Sequence, residues 1–228
     1  MTIFRFFLLF VFVTFITNIF GEAMPFSVIP TPQKVELSTG IFTINKATVI
    51  LKGNDSEKLN YSFNKLKSCL LQYKISPEVV YGSEAEIKLI IVDKNEIFNV
   101  PEKFINQAYT LEINNKGITI KSTSYRGIFY GIMTLIQLIE RSDNKLNCCK
   151  ITDYPNMLIR GISDDISRGQ VSTLDNFKKI IENIARYKMN TYMPYIEDVI
   201  ELEGYPTIGV NRGSLTKKEI KEDRKSVV

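Results

Sequence analysis

The stretch Asp153–Asp198, DYPNMLIRGISDDISRGQVSTLDNFKKIIENIARYKMNTYMPYIED, decides the fold of the second half of this 228-residue chain. Leu158 to Ile166 is strand-like. Ser172-x-x-Asp175 approximates a capping box, and Leu174, Phe177, Ile180, Ile181 and Ile184 give the helix after it an apolar stripe. Asn190 to Ile196 is the next strand. Strand, helix and parallel strand form a right-handed crossover unit. It is the opening of a β/α barrel, in which chemistry sits at the C-terminal ends of strands. A complete barrel takes eight repeats and roughly 250 residues, whereas 75 residues follow Asp153. The expected second region, 151–228, is therefore an incomplete TIM (β/α) barrel holding the first two β/α repeats.

Working toward the N-terminus, residues 24–150 read as a first domain of α+β type. Pro30-Thr31-Pro32 keeps the entry segment extended. Short strands are expected at Val35–Leu37, Ile41–Ile44 and Thr48–Leu51, divided by Gly40 and by Asn45-Lys46. Leu59, Phe63, Leu66 and Leu70 recur at helical spacing, so Ser56 to Tyr73 should be an amphipathic helix. Ile87 to Val92 is a continuous apolar run, typical of a strand covered on both faces. Tyr109, Leu111 and Ile113 alternate with polar neighbours, as do Ile118 and Ile120 beyond the Asn114-Asn115-Lys116-Gly117 turn, which predicts a hairpin. Ile128, Ile132, Leu135, Ile136 and Ile139 mark a second helix, with Tyr125, Phe129 and Tyr130 read as core aromatics. This order of elements implies a β-sheet covered by two helices. The polar run Arg141 to Lys150 is the expected boundary.

Composition narrows the chemistry. The apolar content of 44% is that of an ordinary globular protein, and the net charge of +4 is spread along the chain without a basic stripe. Nothing there is a nucleic-acid footprint. The chain contains no histidine, which excludes a Ser-His-Asp or Cys-His nucleophile within it and any HExxH zinc site. Cys69, Cys148 and Cys149 lack C-x-x-C spacing, so no metal site is expected. They read as buried free thiols, with one bridge from Cys69 to the Cys148–Cys149 pair as the alternative. At the N-terminus Arg5 precedes the apolar run Phe6–Phe20, and Gly21-Glu22-Ala23 offers small residues for cleavage before Met24. The run is shorter than the ~20 residues that span a bilayer. Residues 1–23 are thus expected to be a signal peptide, the protein exported and its membrane contact transient; an uncleaved anchor is the alternative. Sequons at Asn54 and Asn60 bear on the protein only in a host that glycosylates secreted chains.

Chemistry in the second region concentrates at its expected strand ends. Asp164 and Asp165 are adjacent on a strand, so their side chains point to opposite faces and cannot cooperate as an acid/base pair. Arg168 lies just past the strand end, where its fork could grip two hydroxyls or a carboxylate, or form a surface ion pair with Asp165 or Asp175. Glu197 and Asp198 end the second strand, as rim residues or as a solvated acid pair.

These residues carry a family resemblance. VIPTPQKVELSTGIFTI and YTLEINNKGITIKSTSYRGIFYGIMTLIQLIE resemble the zincin-like N-terminal domain of the family-20 glycoside hydrolases, the β-N-acetylhexosaminidases. DYPNMLIRGISDDISRG resembles the family pattern in which an Arg-Gly strand leads into Asp-x-Ser/Ala-Arg, and NFKKIIENIARYKMNTYMPYIED resembles the helix and strand that follow. The likeness runs from Val28 to about Lys221. It implies that Arg168 binds ring hydroxyls of a terminal N-acetylhexosamine and that Asp165 supports that arginine or the strand end. Where the family usually carries a His-Trp-His cluster, this chain has Met193-Pro194-Tyr195-Ile196. The departure marks a divergent subgroup.

The resemblance further implies substrate-assisted hydrolysis, an exception to the two-carboxylate scheme, with no cofactor and with carbohydrate as the partner. An aspartate orients the sugar's 2-acetamido group and the neighbouring glutamate protonates the leaving oxygen. The family places this pair at the end of the fourth barrel strand, so no catalytic residue is expected in this chain. A non-catalytic glycan- or partner-binding product is the alternative, and a subunit whose barrel another chain completes is a third reading. Amino-terminal sequencing of secreted material is expected to show loss of about twenty-three residues; Met1 retained in a membrane fraction would instead establish an anchor.

Overall fold

A computed structural model describes residues 27–53, 56–81, 84–96, 99–169 and 171–225. The N-terminal apolar run, the cleavage site expected before Met24 and the Asn54 sequon lie outside them. Alternating apolar residues build strands β1 (Lys34–Thr43) and β2 (Thr48–Lys52), followed by a 3₁₀ turn at Ser56–Lys58 and helix α1 (Leu59–Gln72). Strands β3 (Glu78–Val79), β4 (Ile87–Ile91), β5 (Tyr109–Asn114) and β6 (Gly117–Ser122) lead into helix α2 (Tyr125–Ser142) and strand β7 (Lys145–Asp153). The seven strands form one sheet in the order β1-β7-β5-β6-β4-β2-β3. Strands β4, β2 and β3 continue parallel to β6, and the remaining neighbours are antiparallel.

Both helices pack on one face of this sheet. Leu59, Leu66 and Leu70 of α1 and Ile128, Ile132, Leu135 and Ile139 of α2 are fully buried with Ile87, Leu89, Leu111, Ile113 and Ile120 in a single core. Helix α2 starts where the Ser124 hydroxyl accepts from the Gly127 amide, a conventional N-cap. It can lie close because Gly131 has no side chain: a Cβ there would sit 2.5 Å from Ile120 Cγ2. The opposite face is polar. Glu36 is in register with Lys150 and Lys150 with Glu112, an alternation of charge across β1, β7 and β5.

Three expectations change here. The two strands proposed on either side of Gly40 are one strand, whose register with β7 shifts between Leu37 and Ile41; Gly40, at φ 120°, absorbs the irregularity. Strand β4 is covered on one face only, since Ile87 and Leu89 are buried while Lys88 and Ile90 are half-buried. The polar run 141–150 is not a linker. Leu146, Cys148, Cys149 and Ile151 are buried within it and beyond it, so β7 runs between β1 and β5 as far as Asp153. The three cysteines are free and buried, and burial pushes the Cys69 and Cys149 thiols up to about 11.

Beyond Asp153 come β8 (Gly161–Asp165), α3 (Leu174–Arg186), β9 (Thr191–Tyr195) and α4 (Lys217–Lys225). Strands β8 and β9 are parallel and form a separate two-stranded sheet. Strand β8 starts later than its apolar run suggests: Met157, Leu158 and Ile159 are exposed and precede it. Gly161 permits the pairing, because a Cβ there would stand 1.9 Å from the Thr191 carbonyl oxygen. The cap of α3 is Thr173 rather than Ser172, its hydroxyl accepting from the Asn176 amide. Phe177 and Ile181 of α3 are buried, and Ile166, Phe177 and Val199 form a small second core with Tyr192 and Leu215 against it. The Thr216–Glu219 capping box is present in both directions, at 3.1 Å from the Glu219 amide to Thr216 Oγ1 and 2.8 Å from the Thr216 amide to Glu219 Oε2. Helix α4 half-buries Ile220 and pairs Glu222 with Lys178 of α3 at 2.7 Å. No described helix is long and apolar enough to cross a membrane.

Several side chains join the two regions, among them Arg186 to Glu140, Lys65 to Glu182 and, most deeply buried, Lys188. Helix α3 ends in a Schellman motif, with the Met189 amide on the Ile184 carbonyl and the Lys188 amide on the Ala185 carbonyl. The left-handed position, usually glycine, is Lys188 at φ 61°. Its ammonium is buried and donates to Asp153 Oδ2 at 2.8 Å, Thr134 Oγ1 at 3.0 Å and the Tyr109 hydroxyl at 3.1 Å. Desolvation, outweighing the pull of Asp153, lowers the Lys188 pKa. The pair therefore orients the two regions more than it stabilises either. By linkage, the unfolded chain holds this proton more tightly, so the lysine's own titration favours the fold as pH rises toward 10.5, the ordinary lysine value. Lys188→Met strands the Asp153 carboxylate and should cost about 3–5 kcal/mol in urea unfolding. The double variant Lys188→Met/Asp153→Leu should recover much of that loss, and a double variant no more stable than the single one would contradict this account.

Candidate functional site

The C-terminal ends of β8 and β9 bring together the polar residues singled out in the sequence. In the parallel register Asp164 lies opposite Pro194 and Asp165 opposite Tyr195. Alternation sends the two aspartates apart. Asp164 turns toward α3 and accepts from the Tyr192 hydroxyl at 2.8 Å, while the Tyr192 ring packs near Phe177. Asp165 turns the other way, toward Arg168.

Asp165 closes a tight local turn. Its Oδ1 accepts from the Ser167 hydroxyl at 2.7 Å and from the Ser167 amide at 3.0 Å, the side-chain-to-backbone bond of an Asx turn. Its Oδ2 accepts from an Arg168 terminal nitrogen at 2.6 Å. The Ser167 hydroxyl first, then the Arg168 guanidinium, hold the Asp165 carboxyl down at about 2. The carboxylate is thus charged throughout the physiological range. Of the two ion-pair partners considered for Arg168, Asp165 is one; the other contact is with Glu197, at 3.2 Å, rather than with Asp175. The guanidinium stays open, its side chain 68% exposed. Asp165 takes one terminal nitrogen of the fork and Glu197 the other, and the side chain remains largely exposed between them.

Glu197 and Asp198 do not act as a pair. Glu197 Oε1 accepts from the Tyr195 hydroxyl at 2.9 Å as well as from Arg168. Asp198 Oδ2 accepts from Arg212 at 3.3 Å. Arg212 also donates to the Ser167 carbonyl, so it fastens the following loop to the ends of both strands. That loop closes on itself: Ile200 bridges Leu215, the Leu215 amide donates to the Val199 carbonyl, and the Glu201 amide to the Leu215 carbonyl. Leu202, Tyr205 and Val210 are exposed along it. Among the described residues no group of three or more His, Cys, Asp or Glu side chains could hold a metal.

Sequence reasoning missed Tyr195, Arg212 and Arg160. Tyr195 was within reach, because aligning the two strand ends puts it opposite Asp165. Arg212 follows from the loop's closure, which has no local signature. Arg160 lies at the other end of β8, where Nε and one terminal nitrogen bond the Lys188 carbonyl at 3.1 and 2.9 Å. Its terminal nitrogens also reach Gln107 Oε1 at 2.8 Å, the Tyr130 hydroxyl at 3.2 Å and the Met157 carbonyl at 2.6 Å. It secures the base of the unit and takes no part in the rim.

Comparison with known proteins points in one direction. Residues 26–154 match the model of glycosyl hydrolase family 20, domain 2. A β-hexosaminidase of Vibrio vulnificus is 24% identical over 196 residues, 82% of this chain and 21% of that protein. Subunit A2 of the β-hexosaminidase of Dictyostelium discoideum is 25% identical over 199 residues, 82% of this chain and 36% of that one. The chain thus spans a fifth to about a third of these relatives. A mutant Streptomyces plicatus β-hexosaminidase in complex with its product GlcNAc superposes with a TM-score of 0.75 at 24% identity, over 88% of this chain and 43% of that one, which shows a shared fold. With more than half of its length under the family model, the chain belongs to glycosyl hydrolase family 20.

Proposed function

We propose that this chain is the N-terminal portion of an exported β-N-acetylhexosaminidase: an α+β domain closed by β7 and, beyond Asp153, the first two β/α repeats of a catalytic barrel. The observation that carries the reading is the Arg168 guanidinium, exposed at the C-terminal end of β8 with Asp165 bonded behind it. A planar five-donor group in that position suits adjacent hydroxyls of a terminal N-acetylhexosamine. The relatives' names and the GlcNAc-bound Streptomyces plicatus structure support the same substrate class. The apolar run Phe6–Phe20 supports export.

In the whole enzyme the sugar's own 2-acetamido oxygen would attack the anomeric carbon, oriented by an aspartate, while the adjacent glutamate protonates the leaving oxygen. Neither member of that pair is assigned to a residue of this chain. Asp165 is committed to Ser167 and Arg168, Asp164 to Tyr192, Glu197 to Arg168 and Tyr195, and Asp198 to Arg212. Each of the four carboxylates serves a bond at the strand ends.

The purified 228-residue chain is accordingly expected to release no p-nitrophenol from p-nitrophenyl N-acetyl-β-glucosaminide. Robust turnover by homogeneous material would send the search for an acid back to those four carboxylates. In a form of the protein that carries the catalytic pair, Arg168→Lys should lower kcat/KM by about ten- to a hundredfold, the worth of hydrogen bonds to a charged group. The unfolding midpoint should barely move, because the ion pairs lost are exposed. Near-normal kinetics would return Arg168 to a surface ion pair.

A further inference from the structure

Arg168 is held from two strands at once. Asp165, at the end of β8, takes one terminal nitrogen at 2.6 Å; Glu197, just past β9, takes the other at 3.2 Å. Glu197 is itself fixed, since the same Oε1 accepts from the Tyr195 hydroxyl at 2.9 Å. The Tyr195 ring then lies beneath the guanidinium, 5.6 Å from ring centroid to Cζ. Arg168, Glu197 and Tyr195 close a ring of contacts, and Asp165, the register partner of Tyr195 across the sheet, joins it through Arg168. One exposed ion pair does little to hold a long side chain in a single geometry. Two carboxylates at opposite ends of the fork and an aromatic face below it define the plane of the guanidinium.

We propose that Glu197, itself held by Tyr195, is the positioning residue that orients the Arg168 guanidinium toward the hydroxyls of the sugar. The proposal rests on the reading of Arg168 as a sugar-binding residue. It gives the second strand a part in substrate recognition in this chain, where Met193-Pro194-Tyr195 replaces the usual histidine-containing cluster. Glu197 acts through Arg168, so its removal should loosen the guanidinium without removing it. Tyr195 offers an independent probe. Its phenol is held above the usual range chiefly by the bond to Glu197, and losing that carboxylate should bring it down.

The test uses the full chain with isotope-labelled arginine, observing the Arg168 guanidinium by NMR and titrating the Tyr195 phenol. Wild type is expected to show restrained rotation about the Arg168 Nε–Cζ bond. Glu197→Ala and Tyr195→Phe should each speed that rotation about two- to fivefold, the range for an exposed pair, and Glu197→Ala should lower the Tyr195 midpoint. Tyr195→Phe keeps the ring, and so guards against a disturbed strand end in the alanine variant. Methyl N-acetyl-β-glucosaminide is then added: it should shift the Arg168 signals of wild type and shift them less in Glu197→Ala. Rotation unchanged in both variants overturns the positioning role whatever the sugar does. Rotation that responds to the variants, with Arg168 indifferent to the sugar in every form, supports the positioning role and sinks the sugar reading instead.

Discussion

The buried ammonium of Lys188 is the constraint on which the arrangement of the two regions depends. It brings a charge from the end of α3 into a space bounded by β5, α2 and the last residue of β7. Such a charge is tolerated only where every donor finds an acceptor, and Tyr109, Thr134 and Asp153 supply three. That explains a lysine at a left-handed position where glycine would cost less backbone strain. The side chain is needed, so the backbone accommodates it. Arg160 adds a second tie through its bonds to the Lys188 carbonyl, Gln107 and Tyr130. The base of β8 and β9 is consequently referenced to the first domain.

The two ends of this short parallel sheet differ in character. At the base the cationic groups are enclosed, and their partners come from distant parts of the chain. At the rim, Arg168, Asp165 and Glu197 are all substantially exposed. Exposed ion pairs contribute little to folding free energy. Their value lies in geometry, since a rigid base lets small side chains at the opposite end adopt a defined arrangement. The division matches the general behaviour of β/α units, in which stability and chemistry occupy opposite faces.

How much of this was legible depended on the reach of each signal. Helices α2 and α3 announced themselves through apolar residues at helical spacing, and the β5–β6 hairpin through its Asn114–Gly117 turn. The opposite orientations of Asp164 and Asp165 followed from strand alternation alone. Strand β7 was misread because Lys145, Asn147 and Lys150 all face the polar side of the sheet and together resemble a linker. The merging of two strands into β1 was hidden because a glycine at a bulge and a glycine at a turn look alike in one dimension. Lys188 carried no local mark of burial. Its partners lie 35, 54 and 79 residues away, and pairings of that range appear only when the chain is folded. The same holds for Arg212, whose targets Ser167 and Asp198 meet only across the sheet.

The closed neck of the 200–215 loop has a consequence for how such a rim can diversify. Because Ile200 and Leu215 meet and Arg212 is tied to Ser167 and Asp198, the strand ends are insulated from what lies between. The entropy of closing a loop grows only slowly with its length. Residues near Gly204 and Tyr205 could therefore be exchanged or lengthened at small thermodynamic expense, leaving the arginine fork in place. Variation could then reshape the surface beside the rim while the placement of Arg168 between Asp165 and Glu197 is inherited unchanged.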